Sequence, residues 1–203
     1  MAEKRGPSKR QLIIKAALES FSRKGFHKTK MEEIALLAGI GKGTVYEYFP
    51  GKAQLFQEVL QEGMELFDTM LRECVSQENT TAAKLESIAQ QSILLWQRYQ
   101  PLARNVLLEN TNFDKEFRKA LQEKHLQWLR YIESVLEEGI SKGEIRDINS
   151  TLLARLFYGG MGMIVFPEGN PHVLSRERIA ELAAQTVDYY LRGIRKSSTT
   201  NNN

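Results

Sequence analysis

TKMEEIALLAGIGKGTVYEYFPGK, residues 29–52, decides how the whole chain is read. Its spacing predicts two short helices joined by a glycine corner. Thr29 followed three residues on by Glu32 has the form of a capping box, in which each side chain satisfies the other residue's backbone N–H. Ile34, Ala35 and Ala38 then fall on one helical face, with Ala35 small where a second helix has to cross closely. Gly39 stands where the chain must leave the helix in a left-handed conformation, which glycine adopts without a Cβ penalty. Ile40 and Val45 supply apolar contacts to fix the angle between the helices. This is the pattern of a helix-turn-helix, whose second helix lies in the major groove of DNA.

That second helix, expected over residues 42–48, turns Val45 and Phe49 inward and exposes Lys42, Gly43, Thr44, Tyr46, Glu47 and Tyr48. Lys42 and Lys52 suit phosphates, because a compact ammonium needs no two-point geometry. Gly43 permits close approach to the groove. Thr44 can touch a thymine methyl or donate to a base edge, and the Tyr46 and Tyr48 hydroxyls can bond phosphate. Apolar packing is the alternative for either tyrosine. Arg5, Lys9 and Arg10 read as a solvated terminus, or else as an arm over the minor groove.

Over IIKAALESFSRKGFHKTKMEEIALLAGIGKGTVYEYFPGKAQLF the chain resembles the amino-terminal domain of TetR-type transcriptional repressors. The matching residues are Ala17, Phe21, Gly25, Phe26, Thr29, Ile34, Ala35, Gly39, Lys42, Gly43, Tyr46, Phe49, Lys52 and Leu55. The resemblance implies the contacts assigned above and adds backbone contacts from Thr29 and Lys30. It departs at Gly41 and Gly51, helix-capping positions where the family often has Ser. Glycine is an acceptable cap there, but two hydroxyls that could meet phosphate are missing.

Charge is distributed accordingly. The formal net charge is only +3, yet residues 1–52 hold 11 Lys and Arg against 5 Asp and Glu, and the remainder 17 against 20. Positive charge gathers on the segment proposed to meet phosphate, although a solvated charged face would give the same count. The polar start, MAEKRGPSKR, carries no secretory signal, and no apolar run approaches the roughly 20 residues of a membrane span. Cys74 has no partner for an internal disulfide, which suits a cytoplasmic location, and the sequons at Asn79 and Asn149 read as coincidence. His27, His125 and His172 lie far apart, and no glycine-rich phosphate loop or nucleophile–base pattern occurs. No catalytic residue, metal site or cofactor is expected.

Outward from the motif, helical periodicity covers nearly all of residues 9–196, and no strand pattern occurs. The expected architecture is all-α, with about nine helices. A helix-turn-helix domain spans residues 1–55 (motif 30–49), a helical ligand-binding and dimerisation domain 56–196, and a disordered tail 197–203. The first helix is expected over 9–24, ended by Gly25 as a left-handed cap with Phe26 folding back. A long helix, 52–75, carries Leu55, Val59, Phe67, Met70, Leu71 and Cys74 and should serve two cores. SQENTTAA (76–83) reads as an interdomain loop. A helix over 84–99 should break at Pro101, which starts a short new one. The next, 113–141, bears Phe117, Leu121, His125, Trp128, Ile132 and Leu136 and stops at Gly143. Asn149 or Ser150 caps a helix apolar almost all round, which should be buried on several sides. Ser175 caps the last.

Phe67, Met70, Trp96, Tyr99, Phe117, Trp128, Phe157, Tyr158 and Met161 could line a pocket for a largely apolar small molecule, with His125 as its polar contact; ordinary core packing is the alternative. One helix-turn-helix reads little sequence, so a homodimer through the last two helices is expected, spanning a pseudo-palindromic operator with recognition helices about 34–36 Å apart. Gly159, Gly160 and Gly162 would permit the close approach. By linkage, an effector preferring a badly spaced conformation releases DNA, the long fourth helix being the transmitter that the resemblance implies. Activation instead of repression, and a protein-interaction module that binds no DNA, remain alternatives.

Overall fold

A computed structural model describes residues 6–108, 115–164 and 174–193, without the side chains of 98–108 and 162–164. Eight α-helices account for most of the described residues: α1 Lys9–Lys28, α2 Met31–Ala38, α3 Lys42–Tyr48, α4 Lys52–Ser76, α5 Thr81–Leu108, α6 Lys115–Ser141, α7 Ser150–Ile164 and α8 Arg176–Arg192. Among the described residues there is no strand. Nor is any helix there long and apolar enough to cross a membrane. The fold is all-α, as the periodicity predicts. Arg5, Phe113 and the tail 197–203 lie outside the described residues.

Several boundaries follow local chemistry. Ser8 caps α1 in a reciprocal box, its hydroxyl accepting from the Gln11 N–H and its own N–H donating to Gln11 Oε1 at 2.8 Å. Gly25 interrupts α1 at φ 76°, ψ 171°, so the break falls where expected, and the chain makes one further helical stretch to Lys28. Gly143 stops α6 at φ 71°. Asn149 Oδ1 accepts from the Leu152 N–H to start α7, and the Ser175 hydroxyl accepts from the Arg178 N–H to start α8.

The expected break at Pro101 is absent. α5 runs through it, which leaves eight described helices where about nine were expected. A proline removes one backbone hydrogen bond, and a helix already propagated for roughly five turns tolerates that loss. Residues 77–80 join α4 to α5 within a single compact unit, so SQENTTAA does not divide units.

The chain sorts into two compact units: residues up to 69 with 95–124, and 70–94 with residues from 125 on. In the first, Ile13, Ala17 and Phe21 of α1 pack with Ile34 and Ala35 of α2, Val45 and Phe49 around α3, and Leu55, Phe56 and Val59 of α4. Phe56 meets Phe21 edge-on, with centroids 4.9 Å apart, and Phe26 at 5.0 Å. Arg10 does not form an arm. Its guanidinium binds Glu58 and Glu62 of α4 and lies 5.7 Å from the Phe49 ring.

In the second unit, Leu71, Val75, Leu85, Ile88, Ile132, Leu136, Phe157, Ile179, Ala183 and Val187 are buried. Met70 is 46% exposed and Cys74 only half-buried, so both leave the expected α4 stripe, and Val75 takes the inward place. α7 is not buried all round. Ala154, Phe157 and Met161 face the core, while Leu152 and Leu156 are more than half exposed.

Candidate nucleic-acid interface

The corner that aims α3 is built by backbone. Gly39 adopts φ 66°, ψ 30°, and the N–H groups of Gly39 and Ile40 donate to the carbonyls of Leu36 and Ala35. Gly41 caps α3 without a side chain, as expected of glycine at that position. Val45 is fully buried and Phe49 nearly so. Val45 anchors the seven-residue α3 from within and Phe49 anchors it just past its end, so most of the other side chains of α3 face outward. Lys42, Gly43, Tyr46, Glu47 and Tyr48 are exposed, and Thr44 is half-buried. Tyr46 is 39% and Tyr48 44% exposed, against the packing alternative for these rings. A Cβ at Gly43 would meet nothing within 4 Å, so its side of α3 is open.

Lys42 is held on this face. Its Nζ lies 2.7 Å from Glu32 Oε1 and 5.8 Å from the Tyr46 ring. Hydrogen bonding to Lys42 draws the Glu32 carboxyl below its usual range, and the same bond raises the Lys42 ammonium. Lys24 does likewise for Glu33 at 2.9 Å, lowering that carboxyl and tying α1 to α2. The Glu32–Lys42 pair was not visible in the sequence. Glu32 reads there as half of a capping box, and the turn that brings it to Lys42 is tertiary.

The assignment of Thr29 as a helix cap is corrected. Lys30, not Thr29, is the N-cap of α2, and it makes no side-chain cap. Thr29 is 1% exposed and its hydroxyl donates inward, to the carbonyls of Ser20 at 3.2 Å and Gly25 at 2.8 Å. The break in α1 leaves carbonyls needing donors, and that demand takes the hydroxyl away from both the cap and the surface. Lys52 is partly buried. Its ammonium donates to the carbonyls of His27 and Thr29 and lies over the Phe26 ring, and burial lowers its pKa. The residues brought together on the open face are Lys30, Lys42, Gly43, Thr44, Tyr46 and Tyr48.

The residues singled out for a ligand scatter. Phe117 packs in the core around the helix-turn-helix, because the start of α6 belongs to the first unit. Phe67 is buried and Trp96 half-buried in that unit, and the Tyr99 side chain lies outside the described residues. In the second unit, His125, Trp128 and Tyr158 do meet, with ring centroids at 4.8 Å for His125–Tyr158 and 6.2 Å for Trp128–Tyr158. Burial pushes the Tyr158 hydroxyl up to about 12. His125 itself is exposed, so it does not interrupt a buried stripe. Phe157 and Met161 are ordinary core at 1% exposure.

Residues 13–59, which contain this corner, match the family described as bacterial regulatory proteins, tetR family. Residues 59–169 match that described as YsiA-like protein, C-terminal region. The fatty acid metabolism regulator protein of Bacillus subtilis (strain 168) is 30% identical over 143 residues, which are 70% of this chain and 74% of that protein. The chain belongs to the TetR family. Among solved structures, FadR of Bacillus subtilis in complex with stearoyl-CoA shares the fold at a TM-score of 0.70 and 23% identity, over 91% of this chain and 98% of that one. AibR in complex with isovaleryl coenzyme A and operator DNA does so at 0.70 and 22%, over 91% and 98%. This TetR-family chain is a DNA-binding transcriptional regulator, and the open face of α3 is the part of its DNA-binding domain that its buried anchors leave available.

Proposed function

We propose that this TetR-family regulator is a dimeric repressor that sets α3 into operator DNA and is released by an acyl-coenzyme A thioester. The observation that carries the DNA contact is the division of α3 by Val45 and Phe49 into a buried side and an outer side bearing Lys42, Tyr46 and Tyr48. The Glu32–Lys42 pair is exposed at both ends, 53% and 59%, so water and salt screen it and a phosphate can take the ammonium over. Thr29 supports the α2 entry without touching DNA, and Lys30 is free to reach the backbone.

The choice of effector follows two relatives whose structures hold stearoyl-CoA and isovaleryl coenzyme A. In this chain the His125–Trp128–Tyr158 cluster favours a largely apolar guest with a polar end. Dimerisation is supported by Leu152, Leu156 and Tyr189 on α7 and α8, exposed by 55%, 54% and 58%. Leu152 and Leu156 line a groove of about 590 Å³ with Ile148, Leu153, Tyr190 and Leu191, among others, and none of the ten ligand candidates lines it. Apolar side chains this prominent on one face mark a site for association.

The test uses a duplex selected by the full-length protein from a randomised pool. Lys42→Ala with Tyr46→Ala is expected to abolish preference for that duplex, with helicity and sedimentation unchanged. Lys42→Ala alone should reduce the slope of log affinity against log salt by about 0.9, the loss of one phosphate contact. Unchanged affinity in the double variant means another surface reads DNA. Stearoyl-CoA that binds without weakening the duplex complex overturns the effector assignment alone.

A further inference from the structure

Two carboxylates stand in the first turn of α2, and the fold gives them different partners. Glu33 pairs with Lys24 of α1 at 2.9 Å, and Glu32 with Lys42 of α3 at 2.7 Å. Both complement a helix start that has no side-chain cap. Glu32 differs because its partner stands on the outer side of α3. The Lys42 ammonium lies between this carboxylate and the Tyr46 ring at 5.8 Å, and both side chains of the ion pair are more than half exposed. Hydrogen bonding to Lys42 lowers the Glu32 carboxyl, so it is fully ionised near neutral pH. The surface that turns toward a polyanion therefore sets an anion against its own cation.

We propose that Glu32 competes with DNA phosphate for the Lys42 ammonium and so limits the affinity of the α3 face. This rests on the reading that this face meets DNA, and it adds a residue that opposes the contact. A carboxylate offers only acceptors and carries the sign of phosphate. A phosphate oxygen accepting from the same ammonium at about 2.8 Å comes within about 6 Å of the Glu32 oxygen. That lies inside the roughly 8 Å over which physiological salt screens exposed charges. Two arrangements are open to Lys42, and both cost affinity. Shared between the anions, it holds them close together; given over to phosphate, it leaves Glu32 beside DNA without its partner. The free pair is solvated and weak, so DNA can still displace it. Phosphate contacts carry no sequence information, so the competition weakens every duplex alike.

The experiment titrates the selected duplex, and an unrelated one of equal length, with four full-length variants at physiological salt. They are Glu32→Gln, Glu33→Gln, Lys42→Met and Glu32→Gln combined with Lys42→Met. Glu32→Gln is expected to tighten both duplexes by roughly threefold to tenfold, and Glu33→Gln, which removes the same charge from the same turn, by less than about twofold. Lys42→Met should weaken both duplexes, and in its background the gain from Glu32→Gln should fall to that of Glu33→Gln. An equal gain with and without Lys42 means that the carboxylate repels DNA by itself, and overturns the competition. Looser binding in Glu32→Gln also overturns it, since the carboxylate then steadies Lys42 for contact. So does a change confined to the selected duplex, which makes Glu32 a reader of base edges. If Glu32→Gln loosens α2, Glu32→Asp decides the matter. It keeps the charge at the helix start but is one methylene too short for the contact, so tighter binding is expected, and none counts against the proposal. Should Lys42→Met leave both duplexes bound as before, the DNA-facing surface has been misassigned. A loss there with no gain in Glu32→Gln defeats this inference alone.

Discussion

Each of the two units contains a glycine that its fold requires, and the requirements differ in kind. Gly39, in the first unit, needs a left-handed backbone at φ 66°, while a Cβ there would meet nothing within 4 Å. Gly139, in the second, lies inside α6, and a Cβ would fall 2.3 Å from the Thr81 hydroxyl at the start of α5. One is a backbone constraint and the other a packing constraint. The first unit is organised by local rules of this sort, in caps, corners and a short anchored helix. The second is organised by contacts between long helices distant in sequence: Thr81 against Gly139, Lys84 with Glu138, Arg72 over Tyr131, and the Tyr190 hydroxyl donating to the Leu156 carbonyl.

The contrast can be broken first at the two cores. Phe21 and Phe157 are almost completely buried, one in each unit, and each holds another aromatic ring, Phe56 at 4.9 Å and Tyr190 at 5.3 Å. Truncation of either to Ala should cost about 3–5 kcal/mol in denaturant unfolding. Phe21→Ala is expected to remove DNA binding, whereas Phe157→Ala should first disturb self-association, read by sedimentation. If both variants lose the same function at the same denaturant concentration, the units unfold together and the division has no energetic meaning.

The glycines sharpen the comparison at smaller scale. Gly139→Ala forces Thr81 aside in a packed site, for about 1–3 kcal/mol. Gly39→Ala has ample room and carries only the left-handed penalty, about 1–2 kcal/mol. Pairing Gly139→Ala with Thr81→Ala, which removes the hydroxyl at 2.3 Å, should recover much of the first loss, and no second-site change should recover the other. Recovery at Gly39, or none at Gly139, would reverse the assignment of causes.

The smallest effect concerns pH. Lys142, and then Lys84, hold the Glu138 carboxyl at about 2 by hydrogen bonding, against an ordinary value of 4.5. The group favours the folded state in its charged form. Its contribution is therefore complete above about pH 4.5 and lost as the pH falls toward 2. Glu138→Gln should flatten the stability profile across that window and leave it unchanged near neutrality. The Glu138 and Lys142 side chains are 40% and 48% exposed, so added salt should shrink the difference.

How much of this was legible in the sequence depended on how far each cause reaches along the chain. Gly39, Gly143, Asn149 and Ser175 are legible because backbone conformation and capping act over three or four residues. The anchors Val45 and Phe49 followed from the same short period. The box forms at Ser8–Gln11, although Thr29–Glu32 offers as good a pattern. Pattern alone cannot say which of two adequate sites the surrounding backbone leaves free.

By itself the sequence determined the all-α class, the helix-turn-helix with its corner and outward face, and membership of a family of regulators. Tertiary structure decided the placement of individual side chains. It turned the Thr29 hydroxyl inward, toward the Ser20 and Gly25 carbonyls, and set the Lys52 ammonium against the His27 and Thr29 carbonyls. It put Phe117 in the first unit's core, exposed Met70 and His125, and brought Glu32 to Lys42. The physical reason is range: capping and periodicity are satisfied within a turn of helix, whereas which donor meets which acceptor depends on helices that meet only once the chain has folded.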